Sequence, residues 1–478
     1  MKYLFLILFS FGLLFAQSSL SLEECQNMAR TNSPAARIAK LTQKGQQFDY
    51  QAFKAGFSPQ VSLDGNLPGL SRSISNILQD DGSIRFVPQS QTFSTVALNI
   101  NQAIPQTGGS VFVYSSLFNR LDLTDPSNQL WQSSPFVLGI NQPLFGINRF
   151  KWEQRNQDTR ISLSRLDYTS AVESASRRAT ELYFDVLLAQ TQREIARANV
   201  ANNDTIFTIS KGRFSVGKIA ENDLLQSELS LMNARTAFET AEVNYQLAIQ
   251  RLRIVLGMDA SEPLLLENPG PTPQIGLAPA DAVTKALGAG RLQLAAKLMR
   301  LEAEQALAVA KTQNRISADL NATFGLNQTA TSLSDAYRNP VDRETFSIGF
   351  SVPLLNWGAG QDRVDAAKAR LEAAEITVEQ NMAEFKADVA YQISNIQLLQ
   401  QQLRRSARGD TIAARRFEVT KQRYLVGKIE LQALFIAQQE KDQARRSYLN
   451  TLRNYWLALS GLREQTLYDF VEDRPISH

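Results

Sequence analysis

Two hydrophobic periods alternate along this chain. Four long stretches carry apolar residues at helical spacing and predict helices over Arg149 to Lys211, Asn222 to Gly257, Gly360 to Gln422 and Leu431 to Leu462. At about 1.5 Å per residue the longer pair would each reach roughly 90 Å, far more than a compact domain buries. Their apolar faces are narrow. Leu224, Leu231, Phe238, Tyr245 and Leu252 recur every seven residues, with Ala234, Ala241, Ala248 and Val255 beside them. Ala437, Ala444 and Ala458 repeat the small residues in a second copy, and Leu371, Val378 and Phe385 keep the same step. Small residues on one line of a heptad let antiparallel helices approach closely, while Leu and aromatic residues fill the alternate layers. Two shorter helices are predicted from Ser21 to Arg30 and from Pro34 to Gly56, the second opened by its proline.

Elsewhere the period is two. Val61 and Leu63, then Val96, Leu98 and Ile100, then residues from Val111 to Leu117 and from Phe136 to Gln142 alternate apolar with polar or small side chains. In the second half Ala318, Leu320, Ala322, Phe324 and Leu326 do the same, as do Phe346, Ile348, Phe350 and Val352. The polar stretches 64–92 and 119–134 read as loops, and Gln106 to Gly109 as a hairpin turn. Four of the strand segments are clear enough to count toward a sheet. Alternation of this kind fits either a sandwich strand or the wall of a membrane barrel.

The chain is duplicated. Arg213-Phe214-Ser215-Val216-Gly217-Lys218-Ile219 returns 210 residues later as Arg423-Tyr424-Leu425-Val426-Gly427-Lys428-Ile429. Each copy lies between two long helical patterns, so each marks a helix, a glycine turn and a return helix. Residues 136–144 match 346–354 at the same offset, whereas Leu20, Ala29, Leu41 and Leu63 answer to Leu277, Ala286, Leu298 and Leu320 at an offset of 257. The first half therefore holds 47 extra residues between Leu63 and Phe136. The predicted organisation is an export signal (1–17), a first repeat (18–258) with an insert at about 64–135, a proline-rich connector (259–280), a second repeat (281–462) and a tail (463–478). Leu98-Asn99-Ile100-Asn101-Gln102 resembles Leu138-Gly139-Ile140-Asn141-Gln142, so the insert itself carries a copied strand. It either widens a barrel or caps it from outside.

Composition narrows the function. Lys2 followed by a short apolar run and Ala-Gln-Ser-Ser predicts export, and no later apolar run is long enough for a spanning helix. The one cysteine, Cys25, cannot form a disulfide within the chain, and the one histidine is His478, which leaves no nucleophile-histidine pair. A net charge of +3 argues against nucleic acid. Gly358-Ala359-Gly360 lacks a phosphate-loop ending and reads as a strand-to-helix turn. Glu239 and Glu242 read as solvated charge rather than as parts of a catalytic pair. No catalytic, cofactor or metal site is expected. The scarcity of His, Cys and Met mildly disfavours a route dedicated to soft metals.

Four strands cannot close a membrane barrel, whereas three copies would pool twelve strands and twelve helices into a tube. In this order of elements the chain resembles the TolC family of outer-membrane efflux ducts over essentially its whole mature length. The resemblance implies a mixed α and β membrane protein. In it a long antiparallel α-helical barrel in the periplasm joins a transmembrane β-barrel completed by trimerisation in outer-membrane lipid. It further implies a homotrimer that works with a periplasmic adaptor protein and an inner-membrane pump to export small molecules. Protein secretion of the ATP-driven kind is the alternative within the class, and a coiled-coil scaffold without a channel the alternative outside it.

Carried over residue by residue, the resemblance makes Val216, Gly217 and Lys218 with Val426, Gly427 and Lys428 the adaptor-docking tips. Tyr424 and Asp223 occupy the positions of a link that holds the periplasmic end closed. The family's second link, through an arginine, falls on Ile429 and is absent; its acidic ring falls on Ala433 and Ile436. A gate closed by apolar packing around Leu434, Phe435 and Ile436 is expected instead, with helix-on-helix packing as the plainer reading of the same run.

Overall fold

The computed structural model describes residues 19–79, 81–259 and 264–477; the export-signal reading of 1–17, Pro263 and His478 lie outside the described residues. The first half runs β1 (Ser19–Leu20), α1 (Leu22–Thr31), α2 (Pro34–Ala55), β2 (Gln60–Leu78), β3 (Ile84–Ile104), β4 (Gly109–Asp122), β5 (Gln129–Pro143), α3 (Arg149–Ser215) and α4 (Glu221–Leu256). The second runs β6 (Leu265–Leu266), α5 (Pro279–Gly288), α6 (Arg291–Gln313), β7 (Ser317–Ala330), β8 (Val341–Ser351), α7 (Ala359–Leu425), α8 (Leu431–Thr466), β9 (Tyr468–Asp469) and β10 (Arg474–Pro475). The duplication is metrical as well as sequential. Helices α3 and α7 each have 67 residues and α4 and α8 each have 36.

The chain divides into two compact units. One contains the described residues up to Gln43, Ser164–Leu292, and those from Met382 onward. Its α1 begins with a capping box, Ser21 with Glu24, and lays Leu22, Cys25 and Ala29 against Tyr183 and Leu187 of α3 and Leu252 and Leu256 of α4. The second repeat builds the matching cluster from Ala282 and Ala286 of α5, Val389, Ile393 and Ile396 of α7, and Tyr455 and Leu459 of α8. The predicted seven-step holds on α4, where Leu231, Ala234, Ala241, Tyr245 and Leu252 are buried. Between the repeats the connector lies bound to this unit. Leu265 and Leu266 pair in parallel with Ser19 and Leu20, the Tyr455 hydroxyl donates to the Pro273 carbonyl, and Gln397 donates to Leu277 at 3.0 Å.

The other unit, Lys44–Leu163 with Gln293–Asn381, holds a six-stranded antiparallel sheet in the order β2-β3-β4-β5-β7-β8. This corrects the count of four strands. Most of the stretch 64–92, expected to be a loop, is strand, and the expected loop at 119–134 shrinks to the turn between Asp122 and Gln129. The cause is a bulge. Apolar side chains of β2 occupy odd positions through Val61, Leu63 and Leu67; the register shifts between Asn66 and Gly69; beyond it they occupy even positions, Leu70, Ile74 and Leu78. The two phases cancel when the stretch is read as one period.

Directly paired residues share a face, so the ladder fixes which side chains go together. One face carries Val61 and Leu63, Leu98 and Ile100, Val113 and Leu117, Leu138 and Ile140, Phe324, and Ile348 and Phe350. The other carries Ser62, Asn99, Tyr114, Thr323 and Arg343. There the Phe112 ring packs over Gly139, where a Cβ would collide with it.

Candidate functional site

The two helix tips are the same structure made twice. Gly217 and Gly427 adopt left-handed backbones with φ of 69° and 74°. At the first tip Gly217 N–H donates to Phe214 at 2.9 Å and Lys218 N–H to Arg213 at 2.8 Å; at the second, Gly427 donates to Tyr424 and Lys428 to Arg423, both at 2.9 Å. This pairing satisfies the last carbonyls of α3 and α7 and reverses the chain, and it requires glycine because a side chain at that φ is strained. Turn geometry thus consumes the backbone of each tip and leaves the side chains of Val216, Lys218, Val426 and Lys428 exposed.

Behind the second tip lies an apolar cluster of Ile206, Phe417, Tyr424, Leu431, Leu434 and Ala437, with Ile429 and Phe435 packed against it. The expected gate residues divide accordingly. Leu434 and Tyr424 are buried in the cluster, which for Leu434 is the plainer packing role. Phe435 is half-buried and borders a polar cavity of about 350 Å³ that also includes Asn199, Asn203 and Asp442. Ala433 and Ile436 face outward from α8 and are exposed.

Tyr424 and Asp223 are not joined by a hydrogen bond within the chain; among its described contacts Tyr424 meets Arg213 instead. The Arg213 guanidinium sits 5.1 Å from the centre of the Tyr424 ring and donates through Nη2 to the carbonyls of Tyr424 at 3.3 Å and Leu425 at 3.4 Å. A cation from the first tip therefore rests on the carbonyl end of α7, where the helix dipole favours it. Arg213 was visible in the sequence as the leading residue of the first heptapeptide, answered by Arg423 in the second, yet its partner was not.

Exposed apolar residues form a second feature of this unit. On α7, Tyr391, Leu398, Ile412 and Val419 keep a seven-residue step, broken only at Arg405, and on α4 Leu225, Leu229, Met232 and Val243 line a face opposite the buried one. No described helix is long and apolar enough to cross a membrane. The molecule thus has two equal helical hairpins and a six-stranded antiparallel sheet that carries one apolar face and, among the described residues, ends in edge strands β2 and β8.

The chain matches the outer membrane efflux protein family over residues 26–258 and 283–466, and it belongs to that family. Its members are channels, not enzymes. Among solved structures it is similar to the CmeC outer membrane channel of Campylobacter jejuni, with 15% identity and a TM-score of 0.68 over 96% of this chain and 87% of that one. It is also similar to VceC of Vibrio cholerae, at 14% identity and 0.66 over 94% and 95%. The open state of MtrE from Neisseria gonorrhoeae gives 14% identity and 0.64 over 95% and 90%. At these identities the likeness concerns the fold. A comparison with curated protein sequences finds no significant match.

Proposed function

We propose that three copies of this chain form an outer-membrane duct that carries small molecules outward as the last component of an efflux system. The observation that supports it best is the sheet, with its apolar face exposed and its edge strands β2 and β8 each unpaired on one side. Unpaired backbone groups in hydrocarbon cost several kcal/mol each, so a sheet of this kind is stable in lipid only when copies join edge to edge into a closed wall.

The helices favour the same assembly. The exposed lines on α4 and α7 would meet between neighbouring copies. Glu239 lies 22 residues beyond Gly217 and Arg405 lies 22 residues before Gly427, so the two would stand at one level above the tips with opposite charge. In the ring of six hairpins the tips would present Val216, Lys218, Val426 and Lys428 to a periplasmic adaptor. Ala433 and Ile436, exposed on α8, would narrow the aperture by an apolar, dewetted ring where acidic residues would otherwise admit cations. Polar residues line the rest, and selectivity would belong to the pump that feeds the tube.

Cells lacking the chain are compared with cells carrying it or a Lys218→Glu/Lys428→Glu variant, reading ethidium accumulation and the polypeptides of the culture medium. Efflux predicts higher ethidium without the chain, restoration by the native protein, and no restoration by the variant although it reaches the outer membrane as a trimer. Loss of a secreted polypeptide with unchanged ethidium would replace this reading by protein secretion. A chain found in the soluble periplasmic fraction would end both.

A further inference from the structure

We propose that the insert of the first repeat is part of the membrane wall, so that the trimer closes a barrel of eighteen strands rather than twelve. This rests on the reading of the chain as an outer-membrane duct and goes beyond it. The excess residues between Leu63 and Phe136 form β3 and β4, and these lie between β2 and β5, hydrogen-bonded on both sides. One level of the ladder crosses them without interruption, from Val61 to Ile100, Val113, Leu138 and Phe324. Were the hairpin a cap outside a twelve-stranded wall, both of its flanking ladders would have to part and β2 would have to pair with β5 directly.

The side chains fit the wall on both faces. Leu98 and Ile100 of β3 and Val113 and Leu117 of β4 continue the apolar face that runs from Leu63 of β2, 71% exposed, to Phe350 of β8, 74% exposed. Between those edges Leu98, Leu138 and Phe324 are 44%, 41% and 52% exposed, while Ile100, Val113 and Leu117 are half-buried, and acyl chains would cover what all of them leave open. The opposite face is joined across the inserted strands by polar contacts. Asn99 of β3 donates to Asp64 of β2 at 2.7 Å, Ser62 donates to the same oxygen at 2.9 Å, and Arg343 of β8 lies 3.5 Å from the Tyr114 hydroxyl of β4. Strand length is sufficient too. Spanning takes about 9–11 tilted residues, and β3 and β4 have 21 and 14.

Barrel diameter grows roughly linearly with strand number, so going from twelve to eighteen widens the wall about 1.5-fold and somewhat more than doubles its cross-section. Eighteen strands are in the range that leaves an aqueous channel. The exit would then be wider than the helical tube requires, with passage limited at the tips.

The test uses the full-length trimer in vesicles containing dibrominated phosphatidylcholine, with a bimane label on a single introduced cysteine; Cys25 is buried and stays unlabelled. Labels at Leu98→Cys and Val113→Cys are compared with Phe346→Cys on β8 and Asn99→Cys on the polar face. An eighteen-stranded wall predicts that Leu98→Cys and Val113→Cys lose fluorescence to the same extent as Phe346→Cys, while Asn99→Cys keeps it. Quenching at Phe346→Cys with none at Leu98→Cys and Val113→Cys would place the hairpin outside the wall and overturn the proposal, leaving the duct intact. Quenching at none of the apolar positions would overturn the duct reading itself. Should Leu98→Cys not assemble, Thr92→Cys, which shares its face by pairing with Leu70 and Leu121, replaces it.

Discussion

Replacing Arg213 by alanine removes a side chain that ties the first tip to the second, and its effect follows from three contacts. The guanidinium lies over the Tyr424 ring at 5.1 Å, and the same group donates to two carbonyls in the last turn of α7 at 3.3 and 3.4 Å. A cation over an aromatic face at a partly exposed site contributes about 0.5–1 kcal/mol. A cation at a helix C-terminus contributes about 0.3–1 kcal/mol. Together these stabilise the joined tips by about 1–2 kcal/mol in each chain. If closure of the aperture depends on the tips staying together, that loss shifts the open-to-closed ratio by roughly 5–30-fold. Single-channel recording of the purified trimer in planar bilayers measures the ratio. Arg213→Ala should raise the open fraction by that factor, and Arg213→Lys by less, because lysine keeps the charge but neither stacks nor presents a planar fork. An Arg213→Ala trimer that assembles normally and opens no more often than the native one would refute the assignment of Arg213 as the tie.

Further outcomes can be checked in the same preparations. Millimolar divalent cations on the periplasmic side should leave the native current unchanged, whereas Ile436→Glu, which puts a carboxylate on the exposed face of α8, should make it sensitive to them; block of the native channel would contradict an apolar ring. Glu239→Lys and Arg405→Glu should each weaken the trimer on native gels by placing like charges together, and the double exchange should restore it; failure of the restoration would separate these two residues. Glu173 is buried and paired with Arg30 at 2.9 Å and Arg463 at 3.3 Å, so Glu173→Leu should cost about 1–3 kcal/mol of stability by taking the carboxylate from the half-buried Arg30, while Arg463 keeps Asp469, read as a lowered thermal midpoint. Burial pushes the Cys25 thiol up to about 12, so the folded state holds a proton that the unfolded chain loses above about pH 8.5. Stability should therefore fall as pH rises through that window, and iodoacetamide at pH 8 should modify Cys25 only after unfolding.

The tips and the long helices were legible because their signals are local and repeated. A glycine with Val before it and Lys after it, flanked twice by heptads, specifies a helix reversal wherever it stands, and the helices observed end within four residues of their expected bounds. What sits on Tyr424 was not legible in the same way. Arg213 and Asp223 both lie near the first tip, and the rotation of α3 against α7 decides which reaches the ring; spacing along one helix does not encode that rotation. The region 64–92 failed for a different reason. Its Ser, Asn and Gln are spaced as strand residues between Leu70, Ile74, Leu78 and Phe86, but the bulge at Asn66–Gly69 exchanges the two faces midway. Whether the inserted hairpin joined the sheet was a question of pairing partners far apart in sequence, which alternation alone leaves open.

The two halves of the chain have kept their helices equal and let their strands diverge, and the difference has a mechanical basis. A heptad added to one hairpin alone would displace its tip by about 10 Å. The Arg213 guanidinium would then lose Tyr424, and Lys218 and Lys428 would no longer stand at one level for a common partner. The 67- and 36-residue lengths are therefore coupled through the tips. The sheet carries a weaker constraint. Strand β2 follows α2 and β5 leads into α3, so whatever is inserted between them must return the chain to the side it left. One additional antiparallel strand would start α3 from the far side; two restore it. A single hairpin is thus the smallest permitted enlargement, and β3 with β4 is one hairpin joined by the turn at Pro105–Gly108. It leaves each copy with the same two edges, β2 and β8, so a neighbouring copy would still meet the strands it met before and the number of copies need not change. Enlargement of the wall by one hairpin per chain is in this way independent of the helical tube, which is why a chain with four strands in one half and two in the other can still present two identical tips.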